Sequence, residues 1–196
     1  MRMFVAAIAF LFPALAYAQE HPVLPSQEVS AGDSIYLLEG EFTDQHGKTV
    51  RLKDFEGKPV VVSMFYASCP HACPLLISDI KKVERDVPEK LRRDLRVVLV
   101  TFDPDRDTPA KLRELGEAHR VDMSRWSFLR TDPDRVRELA ALLGIRYRFG
   151  KDGSIGHSSV ITLLDREGRI AARIDGLRQP NHDLVREATT LLEARK

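Results

Sequence analysis

Cys69 and Cys73 are the only cysteines of the 196-residue chain, and they stand four residues apart in the run Cys-Pro-His-Ala-Cys-Pro. If one helix holds both, they share a face with about 6 Å of axial rise, so that both sulfurs can bind one ion or form a disulfide. A helix N-terminus should lower both thiol pKa values, and both reactions need the thiolate. The pair closes almost no loop, which predicts a chemical rather than a structural role.

A third metal ligand is expected because thiolates select copper(I), zinc or iron-sulfur clusters, and two sulfurs leave coordination positions open. His71 lies between the cysteines, but a helix would turn it away from their shared face. His157 follows the Gly-rich run 150–156 and precedes an apolar strand, where loops of an α/β sheet converge on one edge. His157 is therefore the preferred candidate. The other histidines are interpreted as surface or capping residues: His21, His46, His119 and His182.

The elements that must position these residues alternate between strand and helix patterns, which predicts an α/β fold. The cysteine run follows the most apolar strand and begins a helix. The pattern predicts no strand in the short segment 126–129. The predicted order is a hairpin over 42–52 turning at His46 and Gly47, strand 60–66, a helix from 69 to 87, strand 95–102, a helix capped near Asp107, a helix from 131 to Gly144, strands 159–164 and 169–174, and helix 181–194.

The N-terminus has a basic residue, a short apolar run and an Ala-Tyr-Ala site before Gln19, which is typical of a signal peptide. An uncleaved anchor is the less favoured alternative, because the run is short for a membrane span and contains Pro13. Export to the periplasm is therefore predicted. The predicted organisation is a signal peptide over 1–18, a mobile segment over 19–34 and one domain over 35–196.

Charge and composition exclude some classes of partner. The chain is 43% hydrophobic and 30% charged with a net charge of +1, and cleavage of the leader would remove the cation Arg2. Almost zero net charge in the mature protein gives no indication of a surface for nucleic acid or anionic membrane. Any contact with a membrane is therefore expected to come through a partner.

Four stretches of the sequence, in this order, resemble the SenC/SCO family of copper-binding proteins. They are the lead-in over 52–59, the stretch from Cys69 to Pro74, the Phe-Asp-Pro-Asp-Arg-Asp-Thr-Pro run over 102–109, and His157 with Ser158. The lead-in alone is weak evidence, since other thioredoxin-like families share it, whereas the other three together are specific.

The resemblance implies a thioredoxin-like fold, with a central mixed sheet flanked by helices and an N-terminal β-hairpin. It implies copper(I) ligation by Cys69, Cys73 and His157, with the cysteines also forming a redox pair. Asp103 is either an outer-shell group near the metal or part of a turn, and Asp107 is interpreted as a helix cap. The implied function is a monomeric copper metallochaperone rather than an enzyme. Its partner would be the copper-site subunit of a respiratory oxidase or another copper chaperone.

A thiol-disulfide reductase is the alternative, because such enzymes would use the same cysteines. They resemble one another in a Cys-x-x-Cys spacing and a proline just before the late strand. Here the spacing is one residue longer, and no proline occurs between Pro133 and Pro180. A peroxidase is less favoured still, since Tyr66 stands where peroxiredoxins keep a Thr or Ser. Copper binding is therefore the preferred interpretation.

Overall fold

The protein is described by a computed structural model that covers residues 34–151 and 153–194. The predicted signal peptide over 1–18 lies outside the described residues, as does the predicted mobile segment over 19–34 except for Ser34. Within the described part of the chain, no helix has both the length and the apolar character needed to cross a membrane.

Nine strands and five α-helices make up the described domain, with two short 3-10 helices at Ile35–Leu37 and Leu52–Phe55. The strands are β1 Phe42–Asp44, β2 Thr49–Val50, β3 Val60–Phe65, β4 Arg96–Thr101, β5 Trp126–Arg130, β6 Tyr147–Phe149, β7 Ile155–His157, β8 Val160–Leu164 and β9 Ile170–Asp175. The helices are α1 Ala72–Asp86, α2 Glu89–Arg92, α3 Pro109–Ala118, α4 Pro133–Leu142 and α5 His182–Glu193.

The central sheet has seven strands in the order β2-β1-β5-β4-β3-β8-β9. Strands β3, β4 and β5 are parallel neighbours, whereas β8 pairs with β3 in the antiparallel sense. Every residue of β3 is buried, as expected for an apolar strand covered on both faces. The prediction of a mixed sheet with flanking helices and an N-terminal hairpin is confirmed.

Strand β5 was not predicted, because its apolar segment is short and its pairing depends on distant residues. Its backbone pairs with β4 on one side and β1 on the other. The buried side chain of Gln45 adds two bonds: its Nε2 donates to the Trp126 carbonyl at 3.0 Å, and its Oε1 accepts from the Phe128 N–H at 2.9 Å. A side-chain amide thus extends the sheet ladder where β1 has ended.

Candidate metal centre

The two cysteines do not share a helix. Cys69 lies in a turn after β3, where its N–H donates to the Tyr66 carbonyl at 3.2 Å, and α1 begins only at Ala72 with His71 as its N-cap. The prediction of one helical face is therefore wrong. The reason is Pro70, because a proline disfavours the helical conformation in the residue before it.

The turn nevertheless brings the two sulfurs to one place. Both cysteines are free thiols, with Cys69 8% exposed and Cys73 2% exposed. Cys73 lies in the first turn of α1, and its backbone N–H donates to Sγ of Cys69 at 3.3 Å. The unsatisfied N–H groups at the start of the helix thus face the Cys69 sulfur.

The structure gives the two thiols opposite pKa shifts. Burial raises the pKa of Cys69, but hydrogen bonds from the backbones of Cys73 and His71 and from the Tyr66 hydroxyl outweigh burial and hold it below its ordinary value. Burial dominates for Cys73 and raises its pKa far above the usual range. The prediction that the helix terminus lowers both values is therefore wrong for Cys73.

His157 lies at the end of β7, in a small hairpin with β6 rather than in the predicted loop. Its Nε2 is 3.9 Å from Sγ of Cys73, and its Nδ1 is 3.1 Å from the Ser158 carbonyl oxygen. A carbonyl only accepts, so we place the proton of the neutral ring on Nδ1, which leaves a lone pair on Nε2 facing the cysteine. Burial lowers the pKa of His157, which favours this neutral, ligand-ready form.

Aromatic rings hold the imidazole in place. The ring centroid of Phe102 lies 4.9 Å from that of His157, and Tyr66 meets the same imidazole edge-on at 6.0 Å. Tyr147, the partner of His157 across the hairpin, stacks in turn on Phe102 at 4.8 Å. These contacts restrict the rotation of His157 and shield one side of the site from water.

Of the two alternatives for Asp103, the structure supports the turn, because the Asp103 carbonyl accepts from the N–H groups of Arg106 and Asp107. Its buried carboxylate accepts from Nε of Arg106 at 2.5 Å, and among the described residues it has no hydrogen bond to either cysteine or His157. The prediction for Asp107 is corrected. Asp107 is not the cap of α3, because the Thr108 hydroxyl accepts from the Lys111 N–H instead. The Asp107 carboxylate is buried and accepts from the Ala67 N–H at 2.9 Å and from the Thr101 hydroxyl.

The sequence placed His71 off the site, and the structure puts its side chain on the surface, although as an N-cap residue rather than inside a helix. Asp107 was missed as part of the site, because an aspartate before Thr-Pro reads as a cap. The signal that identifies it is Thr108, which satisfies the cap and leaves the aspartate available for another role.

Two sulfurs and one imidazole nitrogen form a soft donor set that fits copper(I). Cys73 is at the centre of the set, in contact with both Cys69 and His157. The described residues contain no preassembled group of three or more His, Cys, Asp or Glu side chains around a common point.

Comparisons with known proteins agree with this chemistry. The family model described as SCO1/SenC matches residues 33–193. A protein of Stutzerimonas stutzeri named as copper-binding is 25% identical over 149 residues, which cover 71% of this chain and 72% of that protein.

Two solved structures are also similar. Bradyrhizobium japonicum ScoI with copper bound has a TM-score of 0.63 and 28% identity, covering 80% of this chain and 96% of that one. BsSco, described as a member of the Sco family of cytochrome c oxidase assembly proteins, has a TM-score of 0.66 and 22% identity, covering 82% and 98%. With the family model matched along most of the chain, this protein belongs to the SCO1/SenC family.

Proposed function

We propose that this protein is an exported copper(I)-binding metallochaperone whose ligands are Cys69, Cys73 and His157. The observation that carries the proposal is the position of Cys73, whose sulfur lies 3.9 Å from Nε2 of His157 while its backbone N–H donates to the Cys69 sulfur. One metal ion is therefore within reach of two sulfurs and one nitrogen after small side-chain adjustments. Copper is supported by the copper-bound Bradyrhizobium japonicum relative and by the softness of the donors.

The opposite thiol pKa shifts suggest an order of binding. Cys69 is the better thiolate and makes the first bond to copper(I). The bound cation then favours loss of the Cys73 proton, because a coordinated thiol is deprotonated. His157 completes the site through Nε2, with Nδ1 still donating to Ser158. Loading in this order releases one proton from Cys73 for each copper(I) taken up.

Release of copper requires that a partner reach the ligands. His157 lines an open groove of about 390 Å³ together with the hairpin residues Arg146, Tyr147, Arg148, Gly156 and Ser158. An incoming ligand can approach the imidazole side of a three-coordinate ion while both sulfurs still hold it. We propose as recipient the copper-site subunit of a respiratory oxidase or another copper chaperone, because BsSco is described as belonging to a family of cytochrome c oxidase assembly proteins.

The cysteines also form a reversible disulfide in this proposal, and oxidation would release copper because neither sulfur remains a thiolate. The thiol-disulfide reductase alternative is not favoured, since the family match and the copper-bound relative both point to copper. We place the protein in the periplasm as a monomer, exported by the leader over 1–18.

Competition with a copper(I) chelator in the absence of oxygen tests the ligand set. Cys69→Ala and Cys73→Ala should each lose more affinity than the roughly 100-fold that loss of an outer-shell partner reaches. His157→Ala should lose less, and its cysteines should still form the disulfide. The matched control is His71→Ala, which removes an exposed imidazole from the same motif and should change affinity by less than about twofold. Wild-type affinity in either cysteine variant would refute the proposal.

A further inference from the structure

The segment 103–107, called here the clamp segment, follows β4 and contacts both halves of the candidate metal centre. One half is the cysteine turn after β3, and the other is the β6–β7 hairpin that carries His157. The two halves are far apart in sequence, so something must fix their separation. We propose that Arg106 and Asp107 are positioning residues that hold these two halves separately.

Asp107 holds the cysteine turn. Its buried carboxylate accepts from the backbone N–H of Ala67, two residues before Cys69, at 2.9 Å. The hydroxyl of Thr101, at the end of β4, donates to the same carboxylate oxygen and accepts from the Asp103 N–H at 3.0 Å. The turn is thereby tied to the end of the neighbouring strand through Asp107, a residue that is 1% exposed.

Arg106 holds the hairpin. Its Nε donates to the Asp103 carboxylate at 2.5 Å, and its Nη2 donates to the Gly153 carbonyl at 2.9 Å. Gly153 lies in the turn between β6 and β7, where the Gly150 N–H donates to the Ser154 carbonyl at 2.7 Å. The planar guanidinium makes both bonds at once, which a single ammonium does not reproduce.

The two tethers are joined within the clamp segment itself. The backbone N–H of Asp107 donates to the Asp103 carbonyl at 2.9 Å, so the residues that anchor Arg106 and carry the carboxylate form one turn. Phe102, which immediately precedes the segment, packs against the His157 ring. The clamp segment therefore sets the position of the imidazole relative to the two sulfurs, although none of its described hydrogen bonds goes to Cys69, Cys73 or the His157 ring.

If Arg106 and Asp107 hold different halves of the site, their substitutions should differ in whether the loss of copper(I) affinity depends on His157. This inference rests on the proposed function. Arg106→Lys keeps a charge opposite Asp103 but loses the two-bond bridge, so it should weaken copper(I) binding roughly tenfold, the lower end for outer-shell partners. In the His157→Ala background the same change should cost less than about twofold. Asp107→Ala should weaken binding roughly tenfold in both backgrounds, because it acts on the sulfurs.

Controls separate positioning from general damage. Asp107→Asn keeps an acceptor for the Ala67 N–H and should restore binding to within about threefold of wild type. Arg186→Lys is the matched arginine control, since Arg186 also pairs with an aspartate three residues earlier in sequence, Asp183, but lies on α5. It should leave binding unchanged. An equal loss from Arg106→Lys with and without His157, or no loss at all, would overturn the assignment of Arg106.

A copper-free readout distinguishes failure of this inference from failure of the proposed function. In the metal-free protein, Arg106→Lys should shift and broaden the His157 ring proton resonances and leave the rate of thiol-disulfide exchange at the cysteines unchanged. Asp107→Ala should change that exchange rate, while Asp107→Asn should not. A wild-type protein that binds no copper(I) would refute the proposed function only. The clamp would be refuted if the wild type and the three variants Arg106→Lys, Asp107→Ala and Asp107→Asn had the same exchange rates and the same His157 spectra.

Discussion

Protonation differs among the three candidate ligands because their surroundings differ. Cys69 faces backbone N–H donors, which favour its thiolate, whereas Cys73 is enclosed and keeps its proton. His157 is kept neutral by burial, with its free nitrogen directed by the bond to the Ser158 carbonyl. Two thiols of unequal acidity and a neutral imidazole suit a site that must accept a soft cation and later release it.

The neutral imidazole makes a prediction about pH. Because burial lowers the pKa of His157 below 6.5, the unfolded chain takes up this proton before the folded protein does as pH falls. The contribution to unfolding free energy is therefore present above about pH 6.5 and decreases as pH falls through the folded-state pKa. Proton NMR of the metal-free protein should give a His157 midpoint below 6.5. A midpoint at or above 6.5 would show that the ring is not desolvated.

The identity of the candidate ligands was the feature of the site that the sequence predicted best. Soft ligands in a fixed motif were enough to nominate Cys69, Cys73 and His157. The conformation around the motif could not be predicted in the same way, because the i, i+4 spacing indicated one helix over both cysteines, whereas Pro70 keeps Cys69 out of that helix. Asp107 was hidden for a different reason: its partner, the Ala67 N–H, is distant in sequence.

At the scale of elements, the hairpin of β6 and β7 decides where His157 stands. The register pairs Tyr147 with His157 and Phe149 with Ile155. Ile155 is buried and Gly156 is exposed, so His157 points to the same inner side as Ile155. The alternation in Ile-Gly-His was a strand signal, but the glycines before it indicated a loop. A strand of three residues is too short to be predicted from the alternation of apolar and polar residues alone.

Strand β5 is held to α1 by a group that predicts a measurable effect on stability. Glu84 of α1 forms an ion pair with Arg125 at 2.6 Å, with side chains 14% and 19% exposed, and accepts from the Trp126 indole at 3.3 Å. Glu84→Ala should lower the unfolding free energy by about 2 kcal/mol, because it leaves the indole N–H of buried Trp126 without its acceptor, whereas Arg125 keeps its bond to Asp122.

The matched control for Glu84 is Glu117→Ala on α3. Glu117 pairs with Arg113 at 3.9 Å and is 66% exposed, so its loss should cost less than about 0.5 kcal/mol. Urea titration of both variants measures the difference. Equal costs for the two variants would mean that Glu84 does not hold β5 to α1.

At the scale of the whole molecule, local patterns were sufficient for the main architecture. The hairpin, the buried strand β3 and the helices starting at Thr108-Pro109 and Asp132-Pro133 each have a signal in neighbouring residues. What local patterns did not show depends on distant contacts: β5 between β1 and β4, and the clamp segment between two halves of the site. The candidate copper site requires the cysteine motif to lie close to His157, and only the complete fold brings Cys73 within 3.9 Å of that imidazole.

X-ray absorption at the copper edge is the most direct test of the central claim, applied to protein reduced and loaded with one equivalent of copper(I) without oxygen. We predict two sulfur ligands and one nitrogen ligand in the wild type. The nitrogen should disappear in His157→Ala, and one sulfur should disappear in Cys69→Ala or Cys73→Ala. A wild-type spectrum with sulfur ligands only, unchanged in His157→Ala, would contradict the assignment of Cys69, Cys73 and His157 as one copper site.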